Sequence, residues 1–146
     1  MNNVSTPLQS DQQISKEELN NLLMAAQQLE QQSVWYKQQM DILSNYLGDI
    51  ANAENTLLEL KNRQKDNKIL IPIGAENFLY AKIDENDKIL VSLGAKIHAE
   101  KNLDAALEDL KKKKEEVENQ LMQRKTSFNK VNDRLREIEQ ILKSVK

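Results

Sequence analysis

Two long stretches of the chain carry apolar residues at alternating spacings of three and four, and this feature restricts the possible folds most. The first stretch runs from Leu19 to Leu57, and the second runs from Leu103 to Val145. Such spacing places one apolar stripe along an α-helix and is typical of a coiled coil. At the rise of an α-helix the stripes are about 57 Å and about 63 Å long. The two predicted helices therefore match in length.

Each stripe is interrupted by only two polar residues, which are Ser33 and Glu54 in the first and Lys114 and Arg124 in the second. We interpret these residues as fixing the register of the helix pairing at some cost in stability. The other positions of the first stripe are Leu19, Leu22, Ala26, Leu29, Tyr36, Met40, Leu43, Leu47, Ile50 and Leu57. Those of the second are Leu103, Leu107, Leu110, Val117, Leu121, Phe128, Val131, Leu135, Ile138, Leu142 and Val145.

Both predicted helices have recognisable starts. Ser15 is followed three residues later by Glu18, a capping box, and Asn102 is a suitable N-cap for the second helix. We therefore expect a first coiled-coil helix over residues 15–66, a second over 102–146, and a different structure over 67–101. The polar residues 1–14 are typical of a disordered tail.

The segment between the helices has the pattern of β-strands. Turn sequences separate four short apolar runs and predict two β-hairpins, one over 69–83 and one over 89–100. Pro72 lacks a backbone N–H, so its strand should be an edge strand or carry a bulge. The hairpins can reverse the chain, so we expect the two helices to pair antiparallel within one molecule. The alternative, in which each helix pairs with another chain in a parallel dimer, stays open.

The predicted hairpins are too small to bury their own apolar side chains. Isolated hairpins are marginal in water, and the paired helices offer them only one end to pack against. We therefore expect the strands to associate with other copies or related chains. The candidate assembly residues are Ile69, Ile71, Pro72, Ile73, Gly74, Phe78, Tyr80, Ile83, Ile89, Val91, Leu93, Gly94 and Ile97.

Composition argues against several classes of function. The chain has 21 Lys and Arg against 23 Asp and Glu, so nucleic acid is not an expected partner. It has no cysteine and one histidine, His98, so we expect no catalytic residues, no metal site and no cofactor. The sequence shows no signal peptide and no long apolar span. Because neither helix has a clear basic amphipathic face either, a membrane is not an expected partner. These features favour a cytoplasmic protein that is not an enzyme.

Two stretches of the chain carry a resemblance to a known family: "LIPIGAENFLYAKI", with a Pro-hydrophobic-Gly-x-x-x-Phe pattern, and "DKILVSLGAKIHAEKNLDAAL". Both resemble the α-type subunit of prefoldin, a hexameric co-chaperone, and the first is similar to a hairpin of that family. Four predicted strands favour the α-type, since β-type subunits have a single hairpin. His98 departs from the family, which often has an aromatic residue there. The matching positions are Pro72, Ile73, Gly74, Phe78, Gly94, Glu100 and Lys101.

The resemblance implies a fold and a function. Two α-type and four β-type subunits would join their hairpins into stacked intersubunit β-barrels, from which six coiled coils project. The assembly would capture unfolded polypeptides without ATP and pass them to a group II chaperonin.

The residues favour a similar mechanism, with apolar side chains at the free end of the coil binding the unfolded client. About 100 Å² of apolar contact is worth only about 2.5 kcal/mol, so several tips must act together. Trp35 and Ile42 fall on the outer side of the first helix. They either extend the client surface, or are covered by a local distortion of the helix or by the coiled coil of a neighbouring subunit. The candidate tip residues are Leu19, Leu22, Leu23, Met24, Ile138, Ile141, Leu142 and Val145.

A second function stays open on the residues alone. The chain could be a structural or adaptor protein whose coiled coil docks one specific folded partner.

Overall fold

The computed structural model describes residues 14–62, 68–84 and 87–145. The elements are α1 (Lys16–Asn62), β1 (Lys68–Gly74), β2 (Asn77–Lys82), β3 (Lys88–Gly94), β4 (Ile97–Asn102) and α2 (Leu103–Ser144). The predicted fold class is confirmed, because two long helices are joined by two small hairpins. The predicted tail, apart from Ile14, lies outside the described residues.

The helices and hairpins divide into two compact units. One unit, here called the terminal unit, contains the residues up to Gln39 together with those from Arg124 onward. The other, called the central unit, is Met40–Gln123 and contains both hairpins.

The start of α1 is the predicted capping box. The Glu18 backbone N–H donates to Ser15 Oγ over 3.2 Å, and the Ser15 N–H donates to Glu18 Oε2 over 2.8 Å. These reciprocal bonds satisfy backbone donors that a helix start leaves unpaired. The backbone and side-chain hydrogen bonds from Ser15 hold the pKa of Glu18 below its ordinary value.

The start of α2 is capped by Asn102, as predicted. Its Oδ1 accepts a 2.7 Å hydrogen bond from the Ala105 N–H. Asn102 is also the last residue of β4, so the strand leads into the helix without a loop. The Leu103 N–H donates to the Asp87 carbonyl oxygen over 2.9 Å, which ties the helix start to the residue before β3.

Burial along both helices follows the predicted stripes. All stripe positions of α1, including Ser33 and Glu54, are buried or half-buried. The same holds for α2 except at Arg124 and Val145, which are exposed. The most buried stripe residues are Ile50, Leu57, Leu103, Val117 and Ile138.

In the terminal unit the helices run antiparallel. Ser33 Oγ donates to Asn132 Oδ1 over 2.9 Å, and the Arg124 guanidinium lies over the Trp35 ring. The residue numbers rise along α1 while they fall along α2, so α1 pairs with α2 of the same chain. Ser33, one of the polar stripe residues, has its hydrogen-bond partner across the helix interface.

The central unit has the same direction of pairing. Lys114 Nζ lies 3.8 Å from a Glu54 carboxylate oxygen, and Lys61 Nζ lies 2.8 Å from Asp104 Oδ1. Glu54 and Lys114 are both polar interruptions of the stripes, and they face each other. A charge pair at opposed stripe positions favours one register, because a shift would leave each charge against apolar side chains.

The two hairpins are separate two-stranded antiparallel sheets. In the first, the register runs from Lys68 opposite Lys82 to Pro72 opposite Phe78, and then shifts before Gly74. The predicted irregularity at Pro72 is therefore a bulge. In the second, the register shifts at the corresponding place, between Ser92 and Gly94.

The hairpins are also an internal repeat, which was not predicted. "KILIPIGA" from Lys68 and "KILVSLGA" from Lys88 start 20 positions apart and carry their bulge at the same point. Each turn contains a glycine at positive φ, with values of 104° at Gly74 and 92° at Gly94. Two further residues follow it in the left-handed region, Ala75 and Glu76 or Ala95 and Lys96.

Among the described residues, neither helix contains a segment that is both long and apolar enough to span a lipid bilayer.

Candidate interaction surfaces

The core of the central unit lies at the end of the coiled coil, next to the second hairpin. Leu57, Leu103 and Ala106 form a buried cluster, and the half-buried Ile89 and Val91 of β3 pack against it. One face of the second hairpin is therefore covered by helices of the same chain. Ile89 and Val91, which were predicted to act in assembly, make this intramolecular contact.

An ion pair reinforces the contact between the second hairpin and α2. Lys101 Nζ lies 2.6 Å from Asp109 Oδ2, and both side chains are only partly exposed. The hydrogen bond from Lys101 holds the pKa of Asp109 below its ordinary value, and the charges of Lys112 and Lys113 act in the same direction.

The first hairpin exposes apolar side chains on both faces. Leu70 lies opposite Tyr80 and Pro72 lies opposite Phe78, so these four share one face, which we call the Leu70 face. Tyr80 is 73% exposed there. The opposite face, called the Ile71 face, contains Ile69, Ile71, Leu79 and Ala81, of which Ile71 and Leu79 are exposed and the other two are half-buried.

The second hairpin exposes apolar side chains as well. Leu90 is 69% exposed and lies on the face opposite to Ile89 and Val91, while Leu93 and Ile97 are exposed near the turn. Each strand also belongs to a two-stranded sheet and so has one open edge. Exposed apolar surface beside open strand edges is typical of a site that pairs with another chain.

Most of the predicted assembly residues are exposed. Ile69, Ile83, Ile89 and Val91 are half-buried, and the others are accessible to solvent. Leu70, Leu79 and Leu90 were not among the predicted residues, although they are 54%, 55% and 69% exposed. The sequence did indicate that they are exposed: each lies in a run of consecutive apolar residues, and successive residues of a strand lie on opposite faces.

The predicted coil-tip residues all lie in the terminal unit, and they fall into two groups. Leu19, Leu22 and Leu142 are half-buried and Ile138 is 2% exposed, as part of the helix pairing. The other four, Leu23, Met24, Ile141 and Val145, are exposed. Of these, Met24 is the most accessible, at 62%. Four of the eight predicted tip residues therefore expose their apolar side chains to solvent.

Trp35 is half-covered by its neighbours in the terminal unit. It is 46% exposed, the Arg124 guanidinium carbon lies 5.3 Å from its ring centroid, and the Tyr36 ring meets it edge to face. Arg124 thus leaves the helix interface and stacks on an aromatic ring, an interaction worth about 0.5–1 kcal/mol at an exposed site. Ile42 is 61% exposed. Arg124 and Tyr36 thus cover part of the Trp35 ring.

In the described ranges, no three histidine, aspartate or glutamate side chains gather in a geometry suited to a metal ion.

Comparison with known proteins gives consistent results. A family model described as "Prefoldin subunit" matches residues 29–146. Prefoldin subunit alpha of Methanosarcina barkeri is 34% identical over 121 residues, which cover 81% of this chain and 84% of that protein. Prefoldin subunit alpha of Thermofilum pendens is 40% identical over 93 residues, covering 62% of this chain and 72% of that protein.

A solved structure has a similar fold. The cryo-EM structure of a filamentous PFD from Methanocaldococcus jannaschii matches with a TM-score of 0.70 at 18% identity. The match covers 79% of this chain and 95% of that one.

Proposed function

This chain belongs to the prefoldin family as an α-type subunit with the family's chaperone role, and we propose that it acts by capturing unfolded polypeptides without ATP. It does so as part of an oligomer, using apolar side chains at the free end of its coiled coil. The observation that carries this proposal is the group of exposed apolar residues Leu23, Met24, Ile141 and Val145 in the terminal unit.

The hairpins form the assembly surface in this proposal. Their exposed apolar faces and open edges need a cover that this chain does not supply. Four β-type subunits and a second α-type copy provide that cover in the proposed hexamer. The predicted assembly residues act there together with Leu70, Leu79 and Leu90.

Client binding is weak at each tip and strong only in combination. A tip that buries about 100 Å² of apolar surface contributes about 2.5 kcal/mol, less than millimolar binding requires. Several arms raise the effective concentration of binding sites around one client. Each arm also releases separately, which suits the transfer of the client to a group II chaperonin in the cytoplasm.

Leu19, Leu22, Ile138 and Leu142 add to this surface when the helix ends separate. In the paired state they are buried or half-buried, so separation exposes apolar side chains only at the end of the arm. Trp35 and Ile42 are a second candidate contact farther along α1. An adaptor role with one folded partner is not favoured, because the family's role is that of a chaperone.

The proposal is tested by aggregation suppression. The chain is co-expressed with a β-type subunit, and light scattering of two unrelated denatured proteins is followed with the wild type and with a Leu23→Ser/Met24→Ser double variant. We expect the variant to lose most of the suppression while the mass of the assembly is unchanged.

A matched control is available in the central unit. Leu58 is an exposed leucine of α1, 48% accessible, and lies outside the proposed client surface. Leu58→Ser should leave suppression intact. Equal loss in both variants, or full activity in both, would contradict the assignment of the client surface.

A further inference from the structure

We infer that Met24 is a reversible oxidation site that controls client binding at the end of the coiled coil. A two-electron oxidant, hydrogen peroxide, converts its thioether into a sulfoxide, and the terminal unit then loses the apolar contact that Met24 offers. The inference rests on the proposed function, because it concerns the regulation of the same surface. Three observations support it: the sulfur content of the chain, the exposure of Met24 and the position of Met24 on α1.

Methionine is the only sulfur-containing residue type in this chain. The chain has no cysteine and four methionines, which are Met1, Met24, Met40 and Met122. With no thiol present, the thioethers are the sulfur groups that a mild two-electron oxidant can attack. The site of such oxidation therefore depends on which methionines are accessible.

Accessibility separates the three methionines that lie in the described part of the chain. Met24 is 62% exposed and Met122 is 68% exposed. Met40 is half-buried on the stripe of α1. Peroxide therefore reaches the side chains of Met24 and Met122 more readily than that of Met40.

Of the two exposed methionines, Met24 is the one that belongs to the proposed client surface. It follows Leu23 directly and is the most accessible of the four exposed apolar tip residues. Met122 lies in the central unit. The side chains one turn away from Met24 on α1 are polar and exposed, namely Asn20, Asn21, Gln27 and Gln28. These neighbours on α1 provide no apolar cover for the Met24 thioether.

The chemical step is a two-electron oxidation at sulfur. The O–O bond of hydrogen peroxide breaks, one oxygen forms a bond to the Met24 sulfur, and the other leaves as water with both protons. The sulfur supplies the two electrons that reduce the peroxide. Methionine sulfoxide reductase reverses the step with two electrons from a dithiol, which releases water and leaves a disulfide in the reductant.

Oxidation makes a polar residue of the most exposed apolar residue at the tip. A thioether is flexible and polarisable, and so it adapts to varied apolar partners. The sulfoxide oxygen is solvated by water, and burying it against an apolar client segment costs the loss of that solvation. The proposed hexamer contains two α-type copies, so the contact is lost on two arms at once. Because binding depends on several arms acting together, the oxidised assembly releases its client.

The test compares aggregation suppression by the co-expressed assembly before and after treatment with hydrogen peroxide. Wild type, Met24→Leu and Met122→Leu are treated in parallel, and peptide mass spectrometry detects the oxygen added at each methionine. Leucine keeps an apolar side chain of similar size without sulfur, so Met24→Leu isolates the oxidation of this one residue. Met122→Leu is the matched control, because Met122 is at least as accessible and lies outside the proposed client surface.

Each protein is compared with itself, as suppression after peroxide divided by suppression before it. Wild type and Met122→Leu should lose most of their suppression, whereas Met24→Leu should keep most of it. Methionine sulfoxide reductase with dithiothreitol should restore the oxidised wild type. Equal losses in all three proteins would overturn the inference, since they would place the damage at another residue or in the β-type subunit.

The outcomes also separate the inference from the proposed function. Wild type that suppresses aggregation equally well before and after peroxide, with Met24 oxidised, overturns the regulatory site and leaves the proposed function standing. Met24 that stays unoxidised while Met122 reacts has the same consequence. Wild type that shows no suppression before peroxide overturns both.

A second measurement needs no oxidant. Met24→Gln places a polar amide of similar length at the same position, and glutamine is a good helix former. This variant should lose suppression with an unchanged circular dichroism spectrum, and what remains should be insensitive to peroxide. Met122→Gln should suppress as wild type does and stay sensitive to peroxide. Equal suppression by the two glutamine variants would overturn the inference, because a polar group at position 24 would then not weaken client binding.

Discussion

At the scale of single residues, the turns of the two hairpins are strained. Ala75, Glu76, Ala95 and Lys96 all have φ between 47° and 61°. A side chain in the left-handed region costs about 1–2 kcal/mol relative to the right-handed one. Two such residues in succession occur in both turns, which agrees with the repeat in sequence.

Ala95→Gly should therefore stabilise the protein. Glycine adopts positive φ without a steric penalty, and we expect a gain of up to about 1 kcal/mol in the free energy of unfolding, since greater freedom of the unfolded chain offsets part of the relief. The measurement is chemical denaturation of the assembled protein. Ala99→Gly makes the same chemical change at a position of β4 that does not have positive φ, and it should lower the free energy of unfolding. If Ala95→Gly lowers the free energy of unfolding as Ala99→Gly does, the turn is not strained.

Arg124 is the residue whose position departs most from the sequence pattern. It falls on the stripe of α2, yet it is exposed and lies over Trp35. Heptad spacing specifies which side of a helix a residue occupies. It does not specify whether a long, flexible cation stays in the interface or reaches an aromatic ring nearby.

Trp35 is the only tryptophan of the chain, so its fluorescence reports this contact directly. Arg124→Ala should increase the quenching of Trp35 by acrylamide, because the guanidinium no longer covers the ring. Arg134 pairs with Glu137 in the same unit, and Arg134→Ala is the control that should leave quenching unchanged. Unaltered quenching in Arg124→Ala would mean that the stacking does not persist in solution.

Among the helices and strands, the sequence predicted those features that depend on neighbouring residues. The caps at Ser15 and Asn102 and the two stripes were predicted, and a bulge was one of the two alternatives expected at Pro72. Each depends on a few neighbouring residues or on a simple period. The packing of Ile89 and Val91 on the helices was not predicted. Alternation identifies the two faces of a strand, but only the path of the chain decides which face meets the coiled coil.

The ion pair between β4 and α2 makes a pH-dependent contribution to this packing. The pKa of Asp109 is below its ordinary value of 3.8 because of Lys101, so the carboxylate form is the one that the fold favours. The contribution to stability is fully present above the unfolded pKa and is lost as pH falls through the lower folded pKa.

Lys101→Met should accordingly raise the pKa of Asp109 toward its ordinary value, as measured by NMR titration of the side-chain carboxyl. Acid unfolding of the variant should then depend less on pH below about 4. Lys125→Met, in the terminal unit, is the control and should leave the titration of Asp109 unchanged. An unshifted Asp109 in the Lys101 variant would contradict the contact.

In the molecule as a whole, the apolar side chains form two groups: those that pack between the helices and those that stay exposed. The stripes are buried within the chain by antiparallel pairing of α1 and α2. The exposed apolar side chains of the hairpins and of the terminal unit are not covered by the described residues of the single chain. The proposed function assigns the exposed hairpin residues to neighbouring subunits and those of the terminal unit to the client. The sequence indicated that both regions are apolar, but it did not reveal which residues in each are accessible.

The exposed hairpins must be covered by other subunits, so the molar mass of the protein in solution should reveal their association. Sedimentation equilibrium of the full chain is measured at micromolar concentration, alone and after co-expression with a β-type subunit. We predict one well-defined oligomer in the co-expressed sample and poor or irregular association of the chain alone. A folded, stable monomer of 16.9 kDa that persists in both samples would contradict it.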